Sequence, residues 1–141
     1  MKFHCCDPRR LDVIKRNGTA NAIEFLEVLD LAAPLGAPRQ QTLFVRLLRP
    51  LSSGVHLEPK NLRISGGERI RTVGVTWCAM ADALPPQAEA GLVATVDDLP
   101  RTLVVRTDSA GDFSTYTLSI VADSGRTTPP TGFDPKLSSI K

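Results

Sequence analysis

The chain predicts an all-β antiparallel sandwich of about seven strands, preceded by a short N-terminal helix. Three observations carry that expectation. Seven short apolar or alternating runs are separated by turns rich in Gly, Pro and Ser. The clearest run, Tyr116-Thr117-Leu118-Ser119-Ile120, alternates strictly, with Tyr116, Leu118 and Ile120 on one face. One stretch near the N-terminus carries the start and stop punctuation of a helix.

That stretch is Asp7 to Gly18. Asp7 suits the cap, Pro8 the first helical position and Gly18 the stop, while Leu11 and Ile14 share a face. Ala22–Leu29 is mixed in period and reads as a first strand, with a helix as the rival. Pro34, Gly36 and Pro38 mark a loop. Thr42–Arg49 is a strand with Leu43, Val45 and Leu47 on one face, ended by Pro50. Asn61–Ile64 and Thr72–Ala79 are further strands, and Gly66-Gly67-Glu68-Arg69 between them reads as a hairpin turn. Pro85-Pro86 lies in a loop, Leu92–Val96 forms a weaker strand, and Leu103–Thr107 is the apolar run before Tyr116. These spans divide the chain into a helical segment (1–20), a sandwich (21–124) and a linker (125–141). Phe133–Lys141 begins an alternating pattern that stops early, leaving Leu137 and Ile140 without a completed strand. The expectation is therefore a longer protein, with the linker leading to further domains; a frayed C-terminus is the rival reading.

The totals exclude several classes. A length of 141 residues suits one domain, and 42% hydrophobic with 23% charged residues is ordinary for a globular protein. A net charge of +2 does not call for nucleic acid or an anionic membrane. No apolar run is long enough to cross a bilayer. Met1-Lys2-Phe3-His4-Cys5-Cys6-Asp7 has no apolar segment behind its lysine, so synthesis and assembly in the cytosol are expected. Three cysteines, two of them adjacent, fit reduced thiols there.

No constellation reports catalysis. His4, Cys5, Cys6 and Cys78 lack the paired spacing of a zinc site, and His56 stands alone. Asp97-Asp98 reads as a solvated turn, and Gly66-Gly67-Glu68-Arg69 has no phosphate-loop context. The sites therefore contain no catalytic residue, no metal and no cofactor; a small enzyme or metal protein built on these His and Cys residues is the reading set aside. Arg9, Arg10, Lys15 and Arg16 cluster on the helix, where they suit either an acidic protein partner or a solvated face. Trp77 reads as a core residue, with a surface anchor as the alternative.

Two resemblances add to this. Leu103-x-Val105 followed by Asp112-x-Ser114-x-Tyr116-x-Leu118 resembles the E–F corner of immunoglobulin-like domains, where a tyrosine hydroxyl bonds back to upstream backbone. It covers about 20 residues and names Asp112, Ser114 and Tyr116 as a structural corner. It implies an Ig-like sandwich without the disulfide, since Leu118 stands where that family has its second cysteine. The rival is a plain hairpin with Ser109-Ala110-Gly111 at its tip. The two differ in whether Leu103–Thr107 and Tyr116–Ile120 lie in opposite sheets or pair directly.

The second resemblance spans the chain. Phe3-His4-Cys5-Cys6-Asp7-x-Arg9-Arg10, Ile23–Val28, Pro38–Leu43, Ile64-x-Gly66-Gly67-Glu68-Arg69-Ile70, Gly111–Leu118 and Gly132-Phe133-Asp134-Pro135-x-Leu137 resemble the N-terminal region of baseplate assembly proteins, the baseplate J-like wedge components of contractile, phage-tail-like injection systems. It implies a non-enzymatic scaffold domain with no cofactor. Its partners would be wedge, spike or sheath-proximal subunits in a large symmetric hetero-oligomer, with neither nucleic acid nor membrane. It also implies a cytoplasmic product that is assembled into a tail-like particle. The alternative function is an Ig-like module recognising a surface glycan or receptor. That would call for exposed aromatics, and the single Trp and single Tyr both fall in strands.

Overall fold

The computed structural model describes residues 2–4, 7–112, 114–123, 125, 128–134 and 139–140. The described residues form eight strands and one helix: β1 (Lys2–His4), α1 (Pro8–Asn17), β2 (Ile23–Leu29), β3 (Thr42–Leu47), β4 (Leu62–Gly66), β5 (Val75–Met80), β6 (Thr102–Thr107), β7 (Tyr116–Ile120) and β8 (Ser139–Ile140). They make two antiparallel sheets, ordered β1-β2-β3-β6-β5 and β4-β7-β8. With β1 left aside, this is the A-B-E-D and C-F-G strand order of seven-stranded immunoglobulin sandwiches.

The main core lies between the sheets. Leu26, Val45, Leu47, Leu103 and Val105 from one sheet meet Leu62, Leu118, Ile120 and Ile140 from the other. The mixed period of β2 has a local cause. The register with β3 slips between Ile23 and Phe25, so Ile23 and Leu26, three apart, both face this core.

The five-stranded sheet is also covered on its outer face. Leu29, Phe44 and Val104 point there, against Ala81 and Leu92 of the long β5–β6 connection. Leu92–Val96, expected as a strand, is instead a run of tight turns. The amides of Leu92, Ala94 and Val96 bond to the carbonyls of Glu89, Gly91 and Val93. A short apolar run fits a strand or a buried turn equally well. Here it lies over the sheet instead of joining it.

The helix forms as its punctuation predicts. The Asp7 carboxylate accepts from the Arg10 amide at 3.0 Å, and the Gly18 amide closes on Ile14 O at 3.0 Å. Gly18 is extended (φ −98°) and not left-handed. It is glycine by closeness, since a Cβ there would sit 3.0 Å from Ile14 O. Ile14, Ala22 and Leu48 seal the helix onto the sheet.

The segment expected as a linker contributes to the core. Phe133 and Ile140 are buried within it, and Ile140 lies opposite Leu118. The Asn21 amide donates to Gly132 O at 2.6 Å and the Asp134 amide to Asn21 O at 2.8 Å. The partners of this return lie at the start of the sandwich, far away in sequence, and its alternation stops early, which is why it reads as linker.

Candidate functional site

The corner is built where the chain passes between sheets. β6 pairs with β3 and β5, whereas β7 pairs with β4 and β8. Ser109–Gly111 therefore lies in a connection between the two sheets, not at the tip of a hairpin. Tyr116 opens β7, and its hydroxyl accepts from the Asp112 amide at 2.9 Å and donates to Ile70 O at 2.6 Å. Gly67 and Gly111, both at positive φ, lie against its ring. A Cβ on either would approach the Tyr116 hydroxyl to 2.8–2.9 Å.

Asp112 completes the arrangement. Its Oδ2 accepts from the amides of Arg69 (2.7 Å), Ile70 (2.8 Å) and Glu68 (3.2 Å). Its Oδ1 accepts from the Ser114 amide at 2.8 Å and from the Ser114 hydroxyl. The Ser114 hydroxyl oxygen in turn accepts from the Glu68 amide at 2.9 Å. The Ser114 hydroxyl and the amides of Ile70, Ser114 and Arg69 hold the Asp112 carboxyl far below the usual carboxylate range. Each of these donors favours the charged form. Successive amides of this kind make an anion site, but here the chain's own carboxylate fills it.

Gly66-Gly67-Glu68-Arg69 is thus not a hairpin turn. It begins the crossing from β4 in one sheet to β5 in the other, and Asp112 organises it. Two of the runs that carry the whole-chain resemblance, 64–70 and 111–118, form one unit in space.

Two other such runs meet at the helix. Arg10 donates from Nε (2.9 Å) and Nη2 (2.7 Å) to Asp134 as a bidentate pair. Two of its donors are therefore spent inside the chain. Arg16 pairs with Asp12 at 2.9 Å on the exposed face, where Arg9 and Lys15 are also exposed. Arg49 donates to Ile14 O (2.7 Å), Gly18 O (2.6 Å) and Ala20 O (3.3 Å), placing a cation at the negative end of α1. The Asn21 side chain accepts from the amides of Ala22 and Arg49 and donates to Arg49 O, each at 2.9 Å.

The remaining candidates are separated. His4 is exposed on β1, tilted against Phe25 at 6.0 Å, and His56 is exposed in a loop. Cys5 and Cys6 lie outside the described residues. The Cys78 thiol donates to Leu57 O at 3.3 Å, and burial pushes its pKa up to about 11. Among the described residues no three His, Cys, Asp or Glu groups converge as metal ligands. Asp97 and Asp98 diverge to separate partners, Arg46 and Arg101 (2.7 Å).

Sequence reasoning passed over Arg46 and Arg106, which sit on the covered outer face. Arg106 makes a bidentate pair with Glu89 (2.9 and 2.7 Å), donates to Thr42 Oγ1 at 3.0 Å and lies 5.3 Å over the Trp77 ring. That pairing holds the Glu89 carboxyl below its usual pKa. Arg46 pairs with Asp97, donates to Thr102 Oγ1 at 3.1 Å and lies 5.1 Å over Phe25. The signal was Phe44 and Val104, apolar on the same faces as these arginines.

Among the described residues, no helix is long and apolar enough to cross a membrane. No curated protein and no solved structure matches the chain. One family model does match, described as phage baseplate assembly protein, N-terminal domain, and it spans residues 1–141. The corner and the helix clamp, each joining distant runs of this sequence, are thus features of a chain that belongs to the family of phage baseplate assembly protein N-terminal domains.

Proposed function

We propose that the domain is a scaffold without catalytic chemistry in the baseplate of a contractile, phage-tail-like injection system. It packs against wedge, spike or sheath-proximal subunits of a large symmetric assembly. The observation that supports this reading best is the cross-bracing of the loops. Asp112, Ser114 and Tyr116 each bond to the 67–70 loop, and Arg10 spends two of its donors on Asp134. Chemistry needs free groups converging on a cavity, whereas assembly needs rigid surfaces with loops in fixed positions. Trp77 lies under Arg106 and Tyr116 sits in the corner, so neither offers the exposed platform a glycan-binding module requires.

The exposed cations Arg9, Lys15 and Arg16 on α1 are the proposed contact with an acidic neighbouring subunit. Arg10 and Arg49 fix the helix that presents them. The domain leads into further domains of a longer polypeptide, in keeping with the family's description as an N-terminal domain.

The test is a charge reversal in the full encoded protein, combining Arg9→Glu, Lys15→Glu and Arg16→Glu. Exposed pairs contribute about 0–1 kcal/mol, so the melting temperature should stay nearly unchanged. Incorporation into assembled particles should fall at least tenfold. Normal particle assembly by this variant would sink the proposed contact.

A further inference from the structure

The connection between β2 and β3 repeats itself. Leu31-Ala32-Ala33-Pro34 is followed by Leu35-Gly36-Ala37-Pro38. Each copy makes the same shape. The Ala33 amide closes a turn on Asp30 O at 3.1 Å, and the Ala37 amide closes one on Pro34 O at 3.0 Å. In both copies the first two residues are exposed, while the Ala-Pro pair is half-buried. Ala33 and Ala37 pack against the outer cluster of Leu29, Phe44 and Val104. Each leucine takes the second position of its turn, outside the apolar clusters. Leu31 is 87% exposed and Leu35 fully so. The other exposed large apolar side chains among the described residues, Phe3, Val13, Val55 and Ile70, reach at most 59%.

The double turn is held at its base. The Asp30 carboxylate accepts from Arg39 Nε at 2.7 Å and from Gln40 Nε2 at 3.1 Å, and the Gln40 amide donates to Leu29 O at 2.9 Å. Pro34 and Pro38 narrow the backbone further. The Ala-Pro pairs already cover the sheet, so the leucines beside them add nothing to the core. Apolar groups fixed in advance lose little entropy when a partner buries them.

The chemistry of the knob limits that partner. Asp30 and Arg39 neutralise one another, and the eight residues between them carry no charge. An apolar recess therefore suits it, unlike the acidic neighbour proposed for α1. Residues 31–38 also hold no aromatic and no cation, the groups with which surface segments enter lipid. Size is the second limit. Two leucine side chains offer on the order of 200 Å² of apolar surface, whereas a stable interface takes about 800 Å² from each partner. Two free molecules, two copies of this chain included, would not stay together through the knob alone. It suits a neighbour that other contacts already hold in place, as inside an assembled baseplate.

We propose that Leu31 and Leu35 are paired anchors that seat in an apolar recess of a different, neighbouring baseplate subunit. The proposal rests on the reading of this domain as a baseplate scaffold.

Photo-crosslinking in assembled particles tests it on the full encoded protein. With Leu35 replaced by p-benzoylphenylalanine, irradiation should join the chain to another baseplate protein, at apolar residues identified by mass spectrometry. If the bulky label itself blocks assembly, it moves to the exposed Ala32. A crosslink to a second copy of this chain, or none to protein, overturns the proposal. The double variant Leu31→Ser, Leu35→Ser should keep its melting temperature, since both side chains are exposed. It should enter particles at least tenfold less often. Normal entry overturns the proposal, as does binding of the unaltered protein to phosphatidylglycerol vesicles that the double variant loses. If the double variant assembles normally while the reversal of Arg9, Lys15 and Arg16 does not, the anchors are lost and the scaffold reading stands. If the unaltered protein is missing from purified particles, both fall.

Discussion

On the inner face of the five-stranded sheet, Leu103 and Val105 meet Leu118 and Ile120 of a second sheet. On the outer face, one residue away in β6, Val104 meets Leu92 in a run of turns. All three β6 side chains are almost fully buried, but their covers differ in kind. The inner cover is held by the backbone ladder of β4, β7 and β8. The outer cover has no ladder of its own and is pinned by two pairs, Arg106 to Glu89 and Arg46 to Asp97. A sheet face therefore needs apolar cover, but that cover need not be regular structure. Irregular cover is held by charge pairs, where a second sheet is held by hydrogen-bonded strands.

The sharpest way to break this comparison is a matched pair of leucine truncations. Leu103 is 1% exposed and Leu92 is 2% exposed, so both lose equivalent burial. Leu103→Ala should cost about 4 kcal/mol of unfolding free energy, because strands on both sides keep the cavity open. Leu92→Ala should cost about 2 kcal/mol, because turns settle into the space. Equal losses in denaturant titrations would mean that the turns are as rigid as the sheet.

Glu89→Ala tests the pin itself. It leaves Arg106, largely buried, without its carboxylate, and should cost about 2–3 kcal/mol. Trp77 fluorescence should shift as the cation above its ring is released. A variant with unaltered stability would show that the apolar contacts alone hold the cover.

The corner braces the same two sheets through polar groups. Tyr116→Phe removes one donor and one acceptor, leaving Ile70 O and the Asp112 amide to find water, and should cost about 1–2 kcal/mol. Exchange at Glu68, Arg69 and Ile70 should quicken while exchange at Val105 does not. Uniform quickening would show that the corner is integral to the core.

The smallest effect is the pH response of the corner. The folded pKa of Asp112 is depressed, so its contribution is complete above the ordinary carboxylate value near 4. It declines as the pH falls below that value and is gone once the pH has passed the lower folded value. The amide signals of Arg69 and Ile70 should therefore hold from pH 7 to about 4 and shift only below that. Asp112→Asn should remove this acid-side transition. A shift centred near pH 4 would mean that the donors do not stabilise the carboxylate.

Much of the architecture was legible in the chain. Asp7, Pro8 and Gly18 marked the helix because capping is local chemistry. The alternation in Tyr116–Ile120 marked a strand with one buried face, and the apolar run Leu103-Val104-Val105 marked a strand that the fold buries on both faces. The resemblance of Asp112, Ser114 and Tyr116 to an E–F corner implied a connection between sheets, beside the rival of a plain hairpin. What occupies each buried face is not a local property, so Leu92–Val96 read as a strand and the segment holding Phe133 as a linker. Arg10 read as surface charge because nothing near it in sequence announces Asp134, more than a hundred residues away. Periodicity and capping depend on neighbours in the chain, so the sequence by itself determined α1 and the six strands from β2 to β7. The partners of Arg10, Arg46, Arg106 and Asp112 depend on which distant segments the sheets bring together. Only the tertiary structure decided those, because a charge pair forms at a distance in space whatever the separation along the chain.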